Sequence, residues 1–155
     1  MTAEANLRPY ESEFGAGSSA LEIRALLRAM TQMPKDLQRE LRPALREAGS
    51  EILKTAAINS MWSDRIPHAL ELRVSFAQRR PGVFIRVNAK QAPHARPLEG
   101  ILADEWRHPV HGNRDVWVAQ RARPFLLPAV RAGAPAAREL IAEALGNAAE
   151  RAGFA

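Results

Sequence analysis

The hydrophobic pattern of this chain changes period near residue 69, and that change does most to set the fold class. Before it, Leu37, Leu41, Leu45, Ala48, Ile52 and Ala56 recur at steps of three and four, while Lys35, Arg39, Arg42, Arg46 and Glu47 fall elsewhere on the wheel. This is the stripe of an amphipathic helix from Pro34 to about Trp62. Pro34 occupies a first-turn position that proline tolerates. Pro43, inside the stripe, removes a backbone donor and predicts a kink or break. After the change, Leu70, Leu72, Val74 and Phe76 alternate with Glu71, Arg73, Ser75 and Ala77; Val83, Ile85 and Val87 alternate with Phe84, Arg86 and Asn88. Period two on either side of Arg79-Arg80-Pro81-Gly82 predicts a β-hairpin with one buried face. A chain that carries both periods is neither all-α nor all-β, and 155 residues suit one domain.

The remaining segments are arranged around that pair. Residues 1–18 form a polar arm that runs into Gly15-Ala16-Gly17-Ser18-Ser19, a flexible composition. Tyr10 and Phe14 are its aromatic exceptions, suited to anchoring on a neighbouring subunit. Ser19 and Glu22 have capping-box spacing, and Leu21, Leu26, Leu27, Met30 and Met33 predict a first helix to about residue 32. Between residues 89 and 124, Leu98–Trp106 can form a short helix or a strand. Trp106–Val110 and Val116–Gln120 read as short strands around His111-Gly112-Asn113-Arg114-Asp115. Pro124 then leads into a last helix with Ala137, Leu140, Ile141, Ala144, Leu145 and Ala148 on its apolar face, its start made irregular by Pro128 and Pro135. The expected fold is α+β. It has two N-terminal helices, the second long and kinked, a small antiparallel sheet built on the hairpin, and a C-terminal helix packed on that sheet. The domain is expected to span residues 19–155.

Composition closes off several kinds of chemistry. Without cysteine there is no disulfide scaffold, no zinc–thiolate site and no iron–sulfur cluster, and a reducing compartment is the natural expectation. No apolar run approaches the ~18 residues of a membrane span, and the acidic N-terminal stretch lacks the apolar centre of a secretory signal. His108 and His111 invite a metal reading, with Asp104, Glu105 and Asp115 nearby, but no spacing fixes a third ligand. Their expected role is in a turn, against Trp106 and Trp117. The serines lie in no Gly-x-Ser-x-Gly elbow, and there is no phosphate-binding glycine loop, zinc finger or RNA-binding aromatic signature. No catalytic residue, cofactor or metal is expected, and the chain is not read as an enzyme.

Charge is uneven. The chain carries +5, but Arg65 to Arg131 alone holds 12 basic and 5 acidic residues, net +7. Lys35, Lys54 and Lys90 are the only lysines. A GC-rich coding bias accounts for the Arg-to-Lys ratio but not for the clustering. Arginine forks pair with carboxylate or phosphate, so Arg73, Arg79, Arg80, Arg86, Arg114, Arg121 and Arg123 are candidates for a subunit interface or a DNA-facing surface.

The most distinctive stretch follows. His108-Pro109-Val110-His111-Gly112, Trp117-Val118-Ala119-Gln120 and Pro124-Phe125-Leu126-Leu127-Pro128-Ala129 come in that order after the helices and hairpin. In order and spacing the sequence resembles the tail-completion and head–tail neck (connector) family of long-tailed bacteriophages and prophages, across residues 20–150. That family has a His-Pro-x-x-Gly turn, a Trp-x-x-Gln strand and a Pro-Phe-x-x-Pro-Ala entrance to a C-terminal helix. The resemblance gives His108, Pro109, Gly112, Trp117, Gln120, Pro124, Phe125 and Pro128 structural roles. If 117–120 is a strand, Trp117 faces in and Gln120 out; Phe125 should anchor the last helix to the sheet. Two departures stand out. Ile66-Pro67-His68-Ala69-Leu70 occupies the place of a common Pro-x-x-Thr-Gly-x-Leu segment, and the His-Pro-Val-His-Gly form replaces the commoner Glu-Phe-Gly.

The resemblance implies a structural virion protein, assembled in the host bacterial cytoplasm into a homo-oligomeric ring at the head–tail junction or tail top. Sixfold order follows from the family's tail symmetry. Other connector and tail proteins would be its partners, with DNA passing through and making transient non-specific contact; no membrane partner is implied. The rival reading is a basic α+β nucleic-acid-binding module without a virion role. A metal-dependent nuclease using His108 and His111 is a third, lesser alternative.

Overall fold

A computed structural model describes residue 28 and residues 30–101 and 103–151. The expected arm and the Ser19–Glu22 capping box lie outside the described residues. Of the first helix, residues 28 and 30–32 are helical. The fold is α+β, with elements α1 (Lys35–Asn59), α2 (Ile66–Ala69), β1 (Leu70–Ala77), β2 (Arg80–Val87), α3 (Ala95–Glu99), β3 (Glu105–Val110), β4 (Asn113–Arg121) and α4 (Leu126–Arg151).

α1 starts directly after Pro34 and buries Leu41, Leu45, Ala48, Gly49, Ile52 and Ala56, the predicted stripe. It runs unbroken through Pro43. That proline is exposed, on the side away from the packed stripe, so the helix keeps its buried face intact. The helix ends at Asn59, three residues short of the expected end near Trp62, with Ser60 as its C-cap. Ser60 is fully buried and donates its hydroxyl to the carbonyls of Ala56 and Ala57 at 2.9 and 3.1 Å. The last turn therefore closes on itself.

β1 and β2 pair antiparallel with Leu70 opposite Val87, Leu72 opposite Ile85 and Val74 opposite Val83. The alternating apolar sets meet in register, as their period requires. The connection is tighter than the sequence indicates. Ala77 pairs with Arg80, which leaves only Gln78 and Arg79 in the turn and makes Arg80, Pro81 and Gly82 strand residues. In such a hairpin bonded and non-bonded pairs alternate from the closing pair. Pro81, opposite Phe76, falls at a non-bonded pair on an edge strand, where its missing donor breaks no ladder bond.

β3 and β4 form a second hairpin, separate from the first, so there are two two-stranded sheets where one small sheet was expected. Its turn is His111-Gly112 alone, with φ of 47° and 79°. Two successive positive φ values are the demand of the tight turn that matches strand twist. Asn113, Arg114 and Asp115, read from sequence as loop, belong to β4.

α4 runs without interruption through Pro128 and Pro135, against the irregular start expected of it. It lies antiparallel to α1. Asn59 donates to the carbonyl of Phe125 at one end, Gly133 faces Ile52 in the middle, and Arg151 pairs with Glu40 at the other. A Cβ on Gly133 would lie 2.5 Å from Ile52 Cγ1, and one on Gly49 would lie 2.6 Å from Leu72 Cδ1. The two glycines thus let α4 approach α1, and α1 approach the first hairpin.

The core lies in three clusters along this stack. Met30, Leu41, Leu45, Val74, Phe76 and Ala148 form one end, with Ile141, Ala144 and Leu145 packed against them. Ile52, Ala56 and Ala129 hold the middle, with Ile85 and Val130. Ile66, Ala69, Ala92, Ala95, Leu98 and Phe125 close the other end, with Trp62, Val87 and Trp106. Leu70 and Leu126 bridge the middle and this end. The C-terminal helix therefore packs on the strands as well as on α1. Its Leu140, assigned to the apolar face, is 40% exposed. Among the described residues no helix is long and apolar enough to cross a membrane.

Candidate assembly interface

The seven candidate arginines do not form one patch. Arg73, Arg80 and Arg86 share the outer face of the first hairpin, with Phe84 between them and Arg79 at the turn. Arg86 is engaged there: Nη2 and Nε donate to Glu71 Oε2 at 2.6 and 2.8 Å across the strand pair. The hydrogen bond from Arg86, with help from Asn88, holds the Glu71 carboxyl below its ordinary value. Arg114 lies near the tip of the second hairpin and Arg121 near its base. Arg123 sits over the Trp62 ring at 4.7 Å, a cation–π contact.

The second hairpin has two unlike halves. Its base is tied to the body: Ala122 donates to Asp104 O and Arg123 to Leu98 O, both at 2.7 Å. There Trp106 is half-buried beside the Phe125 end of the core. Its ring stacks on His108 at 4.5 Å and on His94 at 6.0 Å, and a ring nitrogen of His108 lies 3.2 Å from Gln120 Oε1. The outer half is different. Every residue from 111 to 119 is exposed. Successive strand residues point to opposite faces, so both faces of the outer half are bare. Val116 is 49%, Trp117 48% and Val118 39% exposed.

This reverses one expectation. Trp117 and Gln120 do lie on opposite faces, but Gln120 pairs with Trp106 on the face toward the core, and Trp117 points out. The packed base of the hairpin decides which face is inner, and Trp106 takes that place. Trp117 Nε1 donates to the Arg114 carbonyl at 2.7 Å, which stiffens the tip. Gly112 forms the turn with His111, and Pro109 lies two residues before it, at an irregularity in the pairing. His108 is held in the stack just described and His111 forms the turn. Among the described residues no group of three or more His, Asp or Glu is placed to hold a metal.

Phe125 is 1% exposed, at the junction of α4 with the strands, edge-on to Trp62. A residue with no signal in the sequence holds that junction. Glu99, at the end of α3, is buried; Oε2 accepts the N–H groups of Phe125 and Leu126, each at 3.0 Å, and Oε1 accepts that of Leu127 at 2.6 Å. The next residue is Pro128, which has no N–H. One carboxylate and one proline thus account for the four N–H positions at the start of α4, with the charge at the favourable end of the helix dipole. Pro124 lies just before this turn and is exposed.

Sequence reasoning also passed over Arg42 and Arg46, which periodicity places on a solvated helix face. They line an open groove of about 530 Å³ along the free edge of β1, with Gln38, Arg73 and the segment Leu72–Ala77. Arg42 Nη1 donates to Val74 O at 3.0 Å, and its guanidinium lies 5.1 Å from the Phe76 ring centre. Among the described residues no acidic residue lines the groove. Comparisons with known protein families, with curated proteins and with solved structures found no match.

Proposed function

We propose that this chain is a structural virion protein of a tailed bacteriophage, a subunit of a ring at the head–tail junction or tail top through which DNA passes. The observation that carries the reading is the outer half of the second hairpin. It exposes Val116, Trp117 and Val118 on two faces at once. Burying apolar surface is worth about 25 cal/mol per Å², so a rigid apolar finger held clear of its own core is suited to burial against other subunits. The ordered motifs around His108, Trp117 and Phe125 support the same reading through the family resemblance, which also favours sixfold order. Such a ring needs heterologous contacts that close on themselves.

Light scattering tests this on the purified chain, alone at high concentration and with tail and connector proteins. Ring-sized particles are expected in at least one setting, and Trp117→Ser should reduce them without lowering Tm. A strict monomer in both settings would overturn the proposal. The dispersed arginines favour assembly over the rival nucleic-acid-binding role, since Arg86 and Arg123 are already engaged within the fold. Labelled duplex titrated at ~0.15 M salt should bind no tighter than the ~10⁻⁴–10⁻⁶ M of non-specific contact. Sub-micromolar affinity would promote the rival.

A further inference from the structure

Among the described residues, β1 has an open edge. In the first hairpin the non-bonded pairs place Leu72, Val74 and Phe76 with their backbone N–H and C=O groups facing away from β2. Of these, the Val74 carbonyl already accepts from Arg42. A free edge of this kind is a template for another strand, and folded proteins generally blunt or cover it. Here it is flanked by Arg42 and Arg46 on the α1 side and by Arg73 on the outer side, with no acidic residue among the described residues of the lining. Its natural occupant is an extended segment with carboxylates on one face.

The chain carries one such segment. Tyr10-Glu11-Ser12-Glu13-Phe14 alternates with period two, aromatic residues and Ser12 on one side and two carboxylates on the other. Its five residues match the five from Arg73 to Ala77, centred on Ser75. We propose that residues 10–14 of a neighbouring copy add as a strand to the open edge of β1, with Glu11 and Glu13 turned toward Arg42 and Arg46. Ser12 then lies beside Ser75, and the aromatic pair lies on the outer face beside Arg73. Residues 15–18 span at most about 14 Å when extended and the expected helix from 19 to 27 about 14 Å more, a reach of about 28 Å toward an adjacent subunit. The inference rests on the assembly reading, because a closed ring provides every groove with a neighbour's arm. It supplies the kind of heterologous, repeating contact from which a ring closes.

The absence of cysteine makes a direct test possible. Ser75 bonds toward β2, so in an antiparallel addition Ser12 opposes it at a non-bonded pair, ~4.5 Å apart at Cα and within disulfide range. The full chain carrying Ser12→Cys and Ser75→Cys, mildly oxidised, should give a ladder of disulfide-linked multimers. The ladder should be several-fold stronger than for a control pair of Ser12→Cys and Ser63→Cys. Arg42→Glu with Arg46→Glu should abolish the ladder, and so, separately, should Glu11→Arg with Glu13→Arg. Mixing the two charge-reversed proteins should restore it, since each arm then meets a groove of opposite sign. Arg46→Glu alone covers the case in which loss of the Arg42–Phe76 contact unfolds the protein, and it should weaken the ladder. An internal disulfide in monomers, a ladder no stronger than the control, or no rescue on mixing would overturn the proposal. The native mass of the unmodified chain is read separately: a ring without the ladder sinks this contact and leaves the assembly reading standing.

Discussion

Glu99 is where a single side chain has the largest leverage on the fold. Its carboxylate accepts three backbone N–H groups that begin α4, and α4 is one wall of the whole core. A hydrogen bond to a charged group is worth ~1.5–3 kcal/mol net, and a buried donor left unpaired costs ~1–3 kcal/mol. In Glu99→Gln the amide keeps one carbonyl oxygen, able to serve Phe125 and Leu126. Its NH2 then faces the N–H of Leu127, donor against donor. One bond and the charge are lost, an expected cost of ~2 kcal/mol. In Glu99→Ala all three bonds go. Water reaches some of the freed groups, and the cost of burying the carboxylate is relieved, so ~4 kcal/mol is expected rather than the full sum.

At roughly 2–4 °C per kcal/mol for a chain of this size, thermal unfolding should fall by ~4–8 °C for the amide and ~8–16 °C for alanine. Amide exchange supplies the local readout: protection of Phe125, Leu126 and Leu127 should drop in Glu99→Ala beyond what the global loss explains. If both variants melt within a degree of the parent, and exchange at those amides is unchanged, the carboxylate is not holding the helix start.

Other expectations follow from the same packing. Phe125→Ala removes a side chain that is 1% exposed, a change that typically costs ~3–5 kcal/mol. Insoluble protein or a large drop in Tm is expected, and a Tm within a degree or two of the parent would show the packing to be misassigned. Gly133→Ala gains helix propensity but sets a methyl 2.5 Å from Ile52 Cγ1. Overpacking should win by ~1–3 kcal/mol in chemical denaturation, and a stabilised variant would mean that α1 and α4 can part without cost. Glu71 is held below its ordinary value of 4.5 by Arg86. A depressed folded-state pKa adds stability above that value and loses it as pH falls through the folded pKa. The melting difference between parent and Glu71→Gln should therefore be flat near neutrality and shrink in acid below pH 4.5; a difference that grows there would contradict the pair.

What could be read from the sequence was what periodicity encodes. The α1 stripe and the Leu70–Phe76 and Val83–Val87 sets were visible because each buries one face against the body, and burial of one face writes a period. The turns were less legible. Asn113 and Asp115 look like turn formers, yet they lie in β4, where the Asn113 side chain accepts the Asp115 N–H at 2.9 Å. His111 and Gly112 take the positive φ values instead. Glu99 left no mark because its partners are backbone amides about 26 residues away in sequence, and any sequence there presents N–H groups. Arg42 and Arg46 were hidden by the same logic: a helix period separates buried from exposed but does not say what lies opposite an exposed residue.

The reversal at Trp117 is the instructive failure. Val116-Trp117-Val118-Ala119 is a continuous apolar run, and such a run has no alternation to say which face is in. In strands that pattern normally accompanies burial on both faces. In this fold the same residues are bare on both faces, because the hairpin is tied down only at its base by Ala122, Arg123 and the Trp106 stack. A pattern suited to two-sided burial, carried by an element that the described residues cover on neither side, supports burial by other subunits. The first hairpin makes a quieter version of the same argument. One of its faces is packed by α1 and α4, its outer face carries Arg73 and Arg80, and its β1 edge is open beside Arg42 and Arg46. The apolar finger and the basic edge are different surfaces with different chemistry. Two unlike surfaces on one subunit are what a head-to-tail ring requires, whereas a twofold dimer would use one surface matched to itself.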